Sequence, residues 1–276
     1  MTSVKAKEVF PAVFSRHAAA YRDRVMTPLR KQEARGRLLV LELLRAAPGE
    51  RVLDLACGPG TLSYPLAAAV GPGGLVVGTD LAEGMLRLAR EEAPAQLALV
   101  RMDSERLGFC TGAFSAVACG HGLQFCPDLV AALAEVRRVL RPGGRFAASF
   151  PVDGRQGGAF ALLEEVFADL PPLPEVEERA ATLATLREPS SVLTAALEAG
   201  FSSAEVQRVE ETVTYGDPEE LVSRVCGWWD CAWRLEGLEA GEQERVRSRA
   251  LAALRARFGE GPLRLPGGSH VLFART

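Results

Sequence analysis

Residues 52–61 read V-L-D-L-A-C-G-P-G-T. A short apolar run enters a glycine turn and then a helix start. Glycine tolerates positive φ and lets a ligand approach the backbone. The helix start offers unpaired amide donors to an anionic group. In an open parallel sheet, ligands gather beyond the carboxyl ends of the strands, near the switch in strand order. Gly58 and Gly60 begin a G-x-G-x-x-G pattern, but its last position is Ser63, so the dinucleotide fingerprint is incomplete. Asp80 ends the next apolar run, where a carboxylate suits a ribose diol. The loop alone therefore indicates an adenosine-type ligand without choosing among them.

The alternation continues outward from this loop. Strands are predicted at 51–55, 75–79, 97–102, 115–119 and 145–150, with helices at 61–70, 82–92 and 127–140 between them. Leu129, Leu133, Val136 and Leu140 form one helical stripe. Strands alternating with helices give βαβ units and a parallel sheet. Strands rich in Val, Leu and Ala fit a sheet covered on both faces. Upstream, 1–35 reads as an arginine-rich helical lead-in and 36–48 as a further helix. Downstream, 152–188 is a mostly helical excursion and 190–199 a helix closed by Gly200. A strand is predicted at 204–214, a helical run over 217–258, and a final strand at 270–275.

Composition narrows the function classes. The 276 residues carry 32 basic and 35 acidic side chains, for a net charge of −3. That balance gives no support for nucleic-acid or membrane-surface binding, which needs clustered positive charge. Only Lys5, Lys7 and Lys31 are lysines, an arginine bias consistent with a GC-rich bacterial genome. No apolar run reaches the length of a membrane-spanning helix, and the first residues lack a secretory apolar stretch. The six cysteines form no C-x-x-C pair, so reduced, mostly buried thiols in a cytoplasmic protein are expected and a zinc site is not. Cys226 and Cys231 are close enough in sequence to share a helix face.

Four motifs occur in order: D-L-A-C-G-P-G at 54–60, V-V-G-T-D at 76–80, R-M-D at 101–103 and L-R-P-G-G-R-F at 140–146. Together they resemble the class I S-adenosylmethionine-dependent methyltransferases, and within them the branch that includes ubiquinone and menaquinone biosynthesis enzymes and many small-molecule methyltransferases. The resemblance covers about residues 14–150 and thins afterwards. It implies an α/β fold: a Rossmann-like, doubly wound, seven-stranded, mostly parallel sheet with a helical N-terminal lead-in and a helical cap. The last, antiparallel strand would insert beside the sixth. One methyltransferase domain over 1–276 is expected, with a lid at 1–35, a cofactor-binding core at 36–151, a helical insertion at 152–200, and the last two strands with their cap at 201–276.

The resemblance also implies roles. Ala56, Cys57, Gly58 and Gly60 would bring backbone to the aminocarboxypropyl end of S-adenosylmethionine, with Asp54 orienting the loop. Asp80 would accept from the ribose hydroxyls. Leu81 and Met85 would cover adenine, and Met102, Asp103 and Ser104 would meet its edge. Gly120 would offer its carbonyl to the ammonium group, and Tyr21 would close over the carboxylate. His121 has a reference pKa near neutrality and is a candidate general base. Phe14, His17 and Tyr21 fall at spacings of 3 and 4 on one predicted helix face, which makes His17 a second candidate.

Gln124, Phe125, Trp228 and Trp229 are candidates to line an apolar substrate pocket. Arg16, Arg22 and Arg24 form a charged face able to steer an anion. His270 reads as structural. The sequence after the fourth strand lacks [DN]-P-P-[YFW], which argues against methylation of nucleic-acid bases. The expected partner is a small-molecule methyl acceptor, with no nucleic acid, no metal and no membrane insertion, on a monomer or homodimer. Rival readings keep the fold without methyl transfer: a cyclase-like biosynthetic enzyme or a non-catalytic binding protein. A nicotinamide oxidoreductase is disfavoured by Ser63.

Overall fold

The computed structural model describes residues 5–152, 157–174, 176 and 179–276. Parts of the predicted 152–188 excursion, at 153–156, 175, 177 and 178, lie outside the described residues. Seven strands form one sheet: β1 (Arg51–Leu55), β2 (Leu75–Asp80), β3 (Leu97–Arg101), β4 (Phe114–Gly120), β5 (Leu140–Pro151), β6 (Ser203–Tyr215) and β7 (Leu263–Arg275). Their spatial order is β3-β2-β1-β4-β5-β7-β6. The first five pair in parallel, and β7 runs antiparallel between β5 and β6. The predicted doubly wound sheet with one inserted antiparallel strand is therefore borne out. Strand order reverses between β1 and β4, so the crevice for a ligand opens above their carboxyl ends.

Alternation along each strand divides the core into two layers. Leu53, Leu55, Val117 and Cys119 face α6 (Leu129–Val139) and α9 (Pro189–Glu198). Val52, Val76, Ala116 and Ala118 face α3 (Arg35–Leu44) and α4 (Ser63–Val70). Asp128 caps α6, its carboxylate accepting from the Ala131 amide at 2.9 Å, which satisfies one orphan donor of the first turn. Helix α5 (Glu83–Glu91) follows β2.

The lead-in forms two helices, α1 (Ala6–Arg16) and α2 (Ala18–Arg30), broken at His17. They dock on α5 through Ala18, Met85, Phe14 and Tyr21. A third apolar cluster lies in the cap. It joins α7 (Gly158–Val166), α10 (Pro218–Cys226), α11 (Trp229–Glu236) and α12 (Ala240–Phe258) to Tyr215, Leu263 and Leu265 of the β6–β7 ribbon. Helix α8 (Arg179–Arg187) precedes α9.

Three boundaries differ from the sequence reading. The region 217–258 is three helices instead of one run. Strand β5 begins at Leu140, with an irregular register against β4 between Phe114 and Ala116. Strand β7 starts at Leu263, seven residues before the predicted start. Leu-Pro-Gly-Gly at 265–268 looks like a loop, yet here β7 has left β5 and pairs only with β6. Pro266 is tolerated because the sheet edge there needs no donor from it.

Candidate active site: two adjoining cavities

Two cavities open where the strand order reverses. The first, about 100 Å³, is lined by Ala56, Gly58, Asp80, Leu81, Met85, Asp103 and Ser104 from the core and by Lys7 and Phe10 from α1. The second, about 340 Å³, lies toward the cap; Gln124, Phe160, Trp228, Trp229 and Tyr215 are on its walls. Phe14, Tyr21, His121 and Phe125 line both, so the cavities meet at these four side chains.

The first cavity is built on the loop after β1. Ala56, Gly58 and Gly60 all have positive φ, at 51°, 56° and 89°. This alternation turns the chain tightly at the strand end. A Cβ added at Gly58 would have only Tyr21 Cε1 near it, at 3.8 Å, so the glycine faces open space beneath Tyr21. Asp80 ties the loop to β2: its Oδ2 accepts from the Gly58 amide at 2.9 Å and its Oδ1 from the Ala82 amide at 2.8 Å. The Leu81 amide also bears on this carboxylate, and Asp80 lines the cavity. Burial pushes the Asp80 carboxyl above its usual pKa, against the lowering effect of the Ala82 and Gly58 amides.

Behind the loop, Asp54 is 1% exposed. Its Oδ2 accepts from Ser63 Oγ at 2.5 Å, while its Oδ1 is buried without a protein partner. Burial raises its pKa to about 7, opposed by the Ser63 bond and aided by the charge of Asp80. Ser63, the residue that spoils the dinucleotide fingerprint, thus anchors the loop to β1.

The junction is held by a chain of hydrogen bonds. His121 has φ +61°, an uncommon conformation for a residue with a side chain. Its amide donates to Ser149 O at 2.8 Å, and Gln124 Nε2 donates to its carbonyl at 2.8 Å. Ser269 Oγ donates to Glu211 Oε1 at 3.0 Å and therefore accepts from His121 Nε2, also at 3.0 Å. This network makes Nε2 the protonated nitrogen and leaves Nδ1 as the acceptor. Burial, with Arg37 and Arg24 adding to it, holds the imidazole well below its usual pKa. At neutral pH the ring is uncharged.

Several predicted site residues sit elsewhere. His17 lines neither cavity; its Nε2 lies 2.5 Å from Glu236 of α11, so it docks the lead-in on the cap. The reason is the break between α1 and α2 at His17 itself, which turns it out of the face shared by Phe14 and Tyr21. Those two rings still meet edge-to-face at 5.3 Å. Asp54, Cys57, Gly60, Met102 and Gly120 line neither cavity and support the loops from behind. Of the charged face, Arg16 pairs with Glu236 and Arg22 with Glu91, which leaves Arg24 on the second cavity. His270 is buried against Phe150 as a structural residue. No disulfide joins the six cysteines, all of them among the described residues, and Cys226 and Cys231 lie on different helices.

Other residues carry no signal in the sequence. Lys7 Nζ reaches Asp103 at 2.7 Å and Glu105 at 2.5 Å, pinning α1 across the mouth of the first cavity. Arg37, Glu211 and Arg224 line the second. Gly122 lies on the first cavity, and a Cβ there would come within 2.5 Å of Ala56 Cβ and 2.8 Å of Cys119 Sγ. Gly122→Val is therefore expected to destabilise the fold by about 1–3 kcal/mol through overpacking. Chemical denaturation reads this; an unchanged midpoint would show that the two loops separate easily. Among the described residues, no group of three metal-ligating side chains occurs, and no helix is long and apolar enough to cross a membrane.

Residues 52–144 match the family model described as a methyltransferase domain. The match takes in about a third of the chain. The sequence resemblance to class I methyltransferases of the menaquinone-biosynthesis-like branch is borne out as a similarity by this match together with the relatives that follow. Aklanonic acid methyltransferase DauC of Streptomyces sp. (strain C5) is 40% identical over 141 residues, covering 50% of this chain and 63% of that protein. Demethylmenaquinone methyltransferase of Lactococcus lactis is 37% identical over 119 residues, covering 42% and 47%. The chain thus spans less than two thirds of the length of either relative. A solved structure from Anaeromyxobacter dehalogenans, assigned as a type II methyltransferase, superposes with TM-score 0.58 at 21% identity over 87% of this chain and 95% of that chain. This likeness shows the fold. The matched stretch ends near the start of β5, so the second cavity is built largely by residues outside it.

Proposed function

We propose that this chain is an S-adenosylmethionine-dependent methyltransferase acting on a C, O or N nucleophile of a small molecule, working as one unit of core, lid and cap. The observation that carries the reading is the meeting of the two cavities at Phe14, Tyr21, His121 and Phe125. A cofactor in one and an acceptor in the other face each other across that passage.

The first cavity fits the cofactor. Asp80 lines it and offers a carboxylate to a ribose diol, and the loop at 56–60 presents bare backbone. Asp54 Oδ1, behind this loop, is a buried acceptor without a protein partner, able to reach a cofactor ammonium group only through water. Leu81 and Met85 supply the apolar face for adenine, and Asp103 and Ser104 its polar edge. Lys7 already holds Asp103, so that carboxylate is shared between the lid and any ligand. Tyr21 covers Gly58. Bound there, S-adenosylmethionine supplies a methyl group on a sulfonium sulfur.

The residues contribute mainly alignment. Phe125, packed edge-to-face on Phe10 and Phe14 at 5.1 Å each, excludes water from the passage. Gln124 fixes the His121 backbone, and Trp228 and Trp229 hold the acceptor. Placing the reactants about 3–3.5 Å apart and in line supplies a large share of the rate enhancement. His121, the candidate general base, is neutral and lines the passage, but its lowered pKa makes it a weak proton acceptor.

Calorimetric titration with S-adenosylhomocysteine tests this reading. One site per chain is expected, together with label transfer from methyl-labelled cofactor to a member of a panel of aromatic acceptors. Absence of binding by cofactor-free protein, or binding of NAD in its place, overturns it.

A further inference from the structure

The second cavity is apolar on its aromatic walls, yet three guanidinium groups reach it: Arg24, Arg37 and Arg224. Two of them have partners in the protein. Arg224 is buried in an ion pair with Glu220, its guanidinium 5.2 Å from the Tyr215 ring centroid. Arg24 lies 4.0 Å over the Trp228 ring, a cation–π contact. Arg37 differs. Its Nε is buried without a hydrogen-bond partner, and among the described residues it makes no ion pair.

The acidic group facing this wall is Glu211 of β6. Its Oε1 is already engaged by the Gly36 amide at 2.6 Å and by Ser269 Oγ at 3.0 Å. Those bonds hold Glu211 against the start of α3. Arg37 is half-buried and the Asp54 carboxyl feels its charge, without an ion pair between them; a buried guanidinium nitrogen left without an acceptor is costly. The planar donors of a guanidinium match a delocalised oxyanion, and such charge-assisted bonds strengthen in an apolar enclosure. His121 adds no positive charge, because the two nearby arginines help keep its ring neutral.

We propose that the second cavity takes a planar apolar acid bound as its anion, with the oxyanion on Arg37 and the ring system against Phe160, Trp228 and Phe125. This rests on the reading of that cavity as the acceptor site. A carboxylate and an enolate of similar acidity present the same chemistry, and the probes below separate them.

The test uses the full chain saturated with S-adenosylhomocysteine, with tryptophan fluorescence following titration by naphthoate, methyl naphthoate, and the enolate of a cyclic 1,3-diketone. Naphthoate is expected to bind at least about tenfold tighter than its uncharged ester at neutral pH. Arg37→Gln is expected to abolish that preference while leaving ester affinity and S-adenosylhomocysteine affinity within about twofold. Tighter binding of the enolate than of naphthoate identifies the enolate as the preferred anion. Equal affinities for naphthoate, ester and enolate on the unmodified protein overturn the proposal, with no variant needed. So does an Arg37→Gln protein that keeps the anion preference. If the cofactor product fails to bind while Arg37-dependent anion binding persists, the methyltransferase reading fails and the anion site stands.

Discussion

Asp80→Ala is expected to lower affinity for S-adenosylhomocysteine by about two to four orders of magnitude. The carboxylate has two tasks at once. One oxygen holds the Gly58 amide and the other the Ala82 amide, so the loop and the start of α5 are fastened to the end of β2. Asp80 also lines the cavity where a ribose diol is expected. Charge-assisted hydrogen bonds are each worth about 1.5–3 kcal/mol, so losing two removes about 3–6 kcal/mol. Release of the loop adds to the loss. Asp80→Asn keeps the shape but replaces one acceptor by a donor pointed at an amide, so it is expected to fall between wild type and Asp80→Ala. Titration calorimetry reads both. A change of less than threefold for Asp80→Ala would remove Asp80 from the binding site.

The second large effect concerns pH and stability at Asp54. Burial raises the native carboxyl to about 7, opposed by Ser63 and aided by the charge of Asp80, whereas an unfolded aspartate titrates near 3.9. Between those values the native state holds a proton that the unfolded chain has released. Stability therefore falls as pH rises through this window, and above it the whole penalty is present. The penalty is about 4 kcal/mol at 1.36 kcal/mol per pKa unit. Asp54→Asn cannot ionise and retains an oxygen for the Ser63 hydroxyl. It is expected to be more stable than the parent at pH about 8 by up to about 4 kcal/mol, less about 1 kcal/mol for any weakened Ser63 bond. The advantage should close near pH 4. Urea denaturation across that range measures it, and a difference independent of pH would show that Asp54 does not take up the proton. The same substitution is expected to weaken cofactor binding if Asp54 Oδ1 reaches the ammonium group through water, so stability and affinity move in opposite directions.

What the sequence discloses here depends on how locally each feature is encoded. The alternation of β1 to β5 with helices, the glycine turn at 58–60 and Asp80 are all written within short windows. Each is set by backbone freedom or by the two-residue period of a buried strand. The acceptor side is different. Arg37 stands among leucines on α3, and periodicity there reports only an apolar face. Its neighbours Glu211 and Ser269 come from strands far along the chain. His17 shows the opposite failure. Spacings of 3 and 4 imply one continuous face, but the helix stops at Arg16 and restarts at Ala18. No pattern of apolar residues marks that break. Lys7 was unreadable for a related reason, since its partners Asp103 and Glu105 meet it only when α1 folds back across the sheet.

The insertion of β7 between β5 and β6 sets an order of events for a chain emerging from a ribosome. The loop after β1, the Asp80 anchor and the ends of β4 and β5 all precede residue 152, so the cofactor half can assemble while the cap is still being made. The acceptor half cannot. Ser269 completes the support of His121, and Leu265, Pro266, Gly267 and Gly268 wall the second cavity, yet all five are translated after the helices they close against. Until β7 slides into place, β5 and β6 each expose a bare edge, the pairing geometry that invites association with another chain. Nascent protein is thus able to hold cofactor before it can admit an acceptor, and chains halted before residue 263 are expected to be the aggregating species.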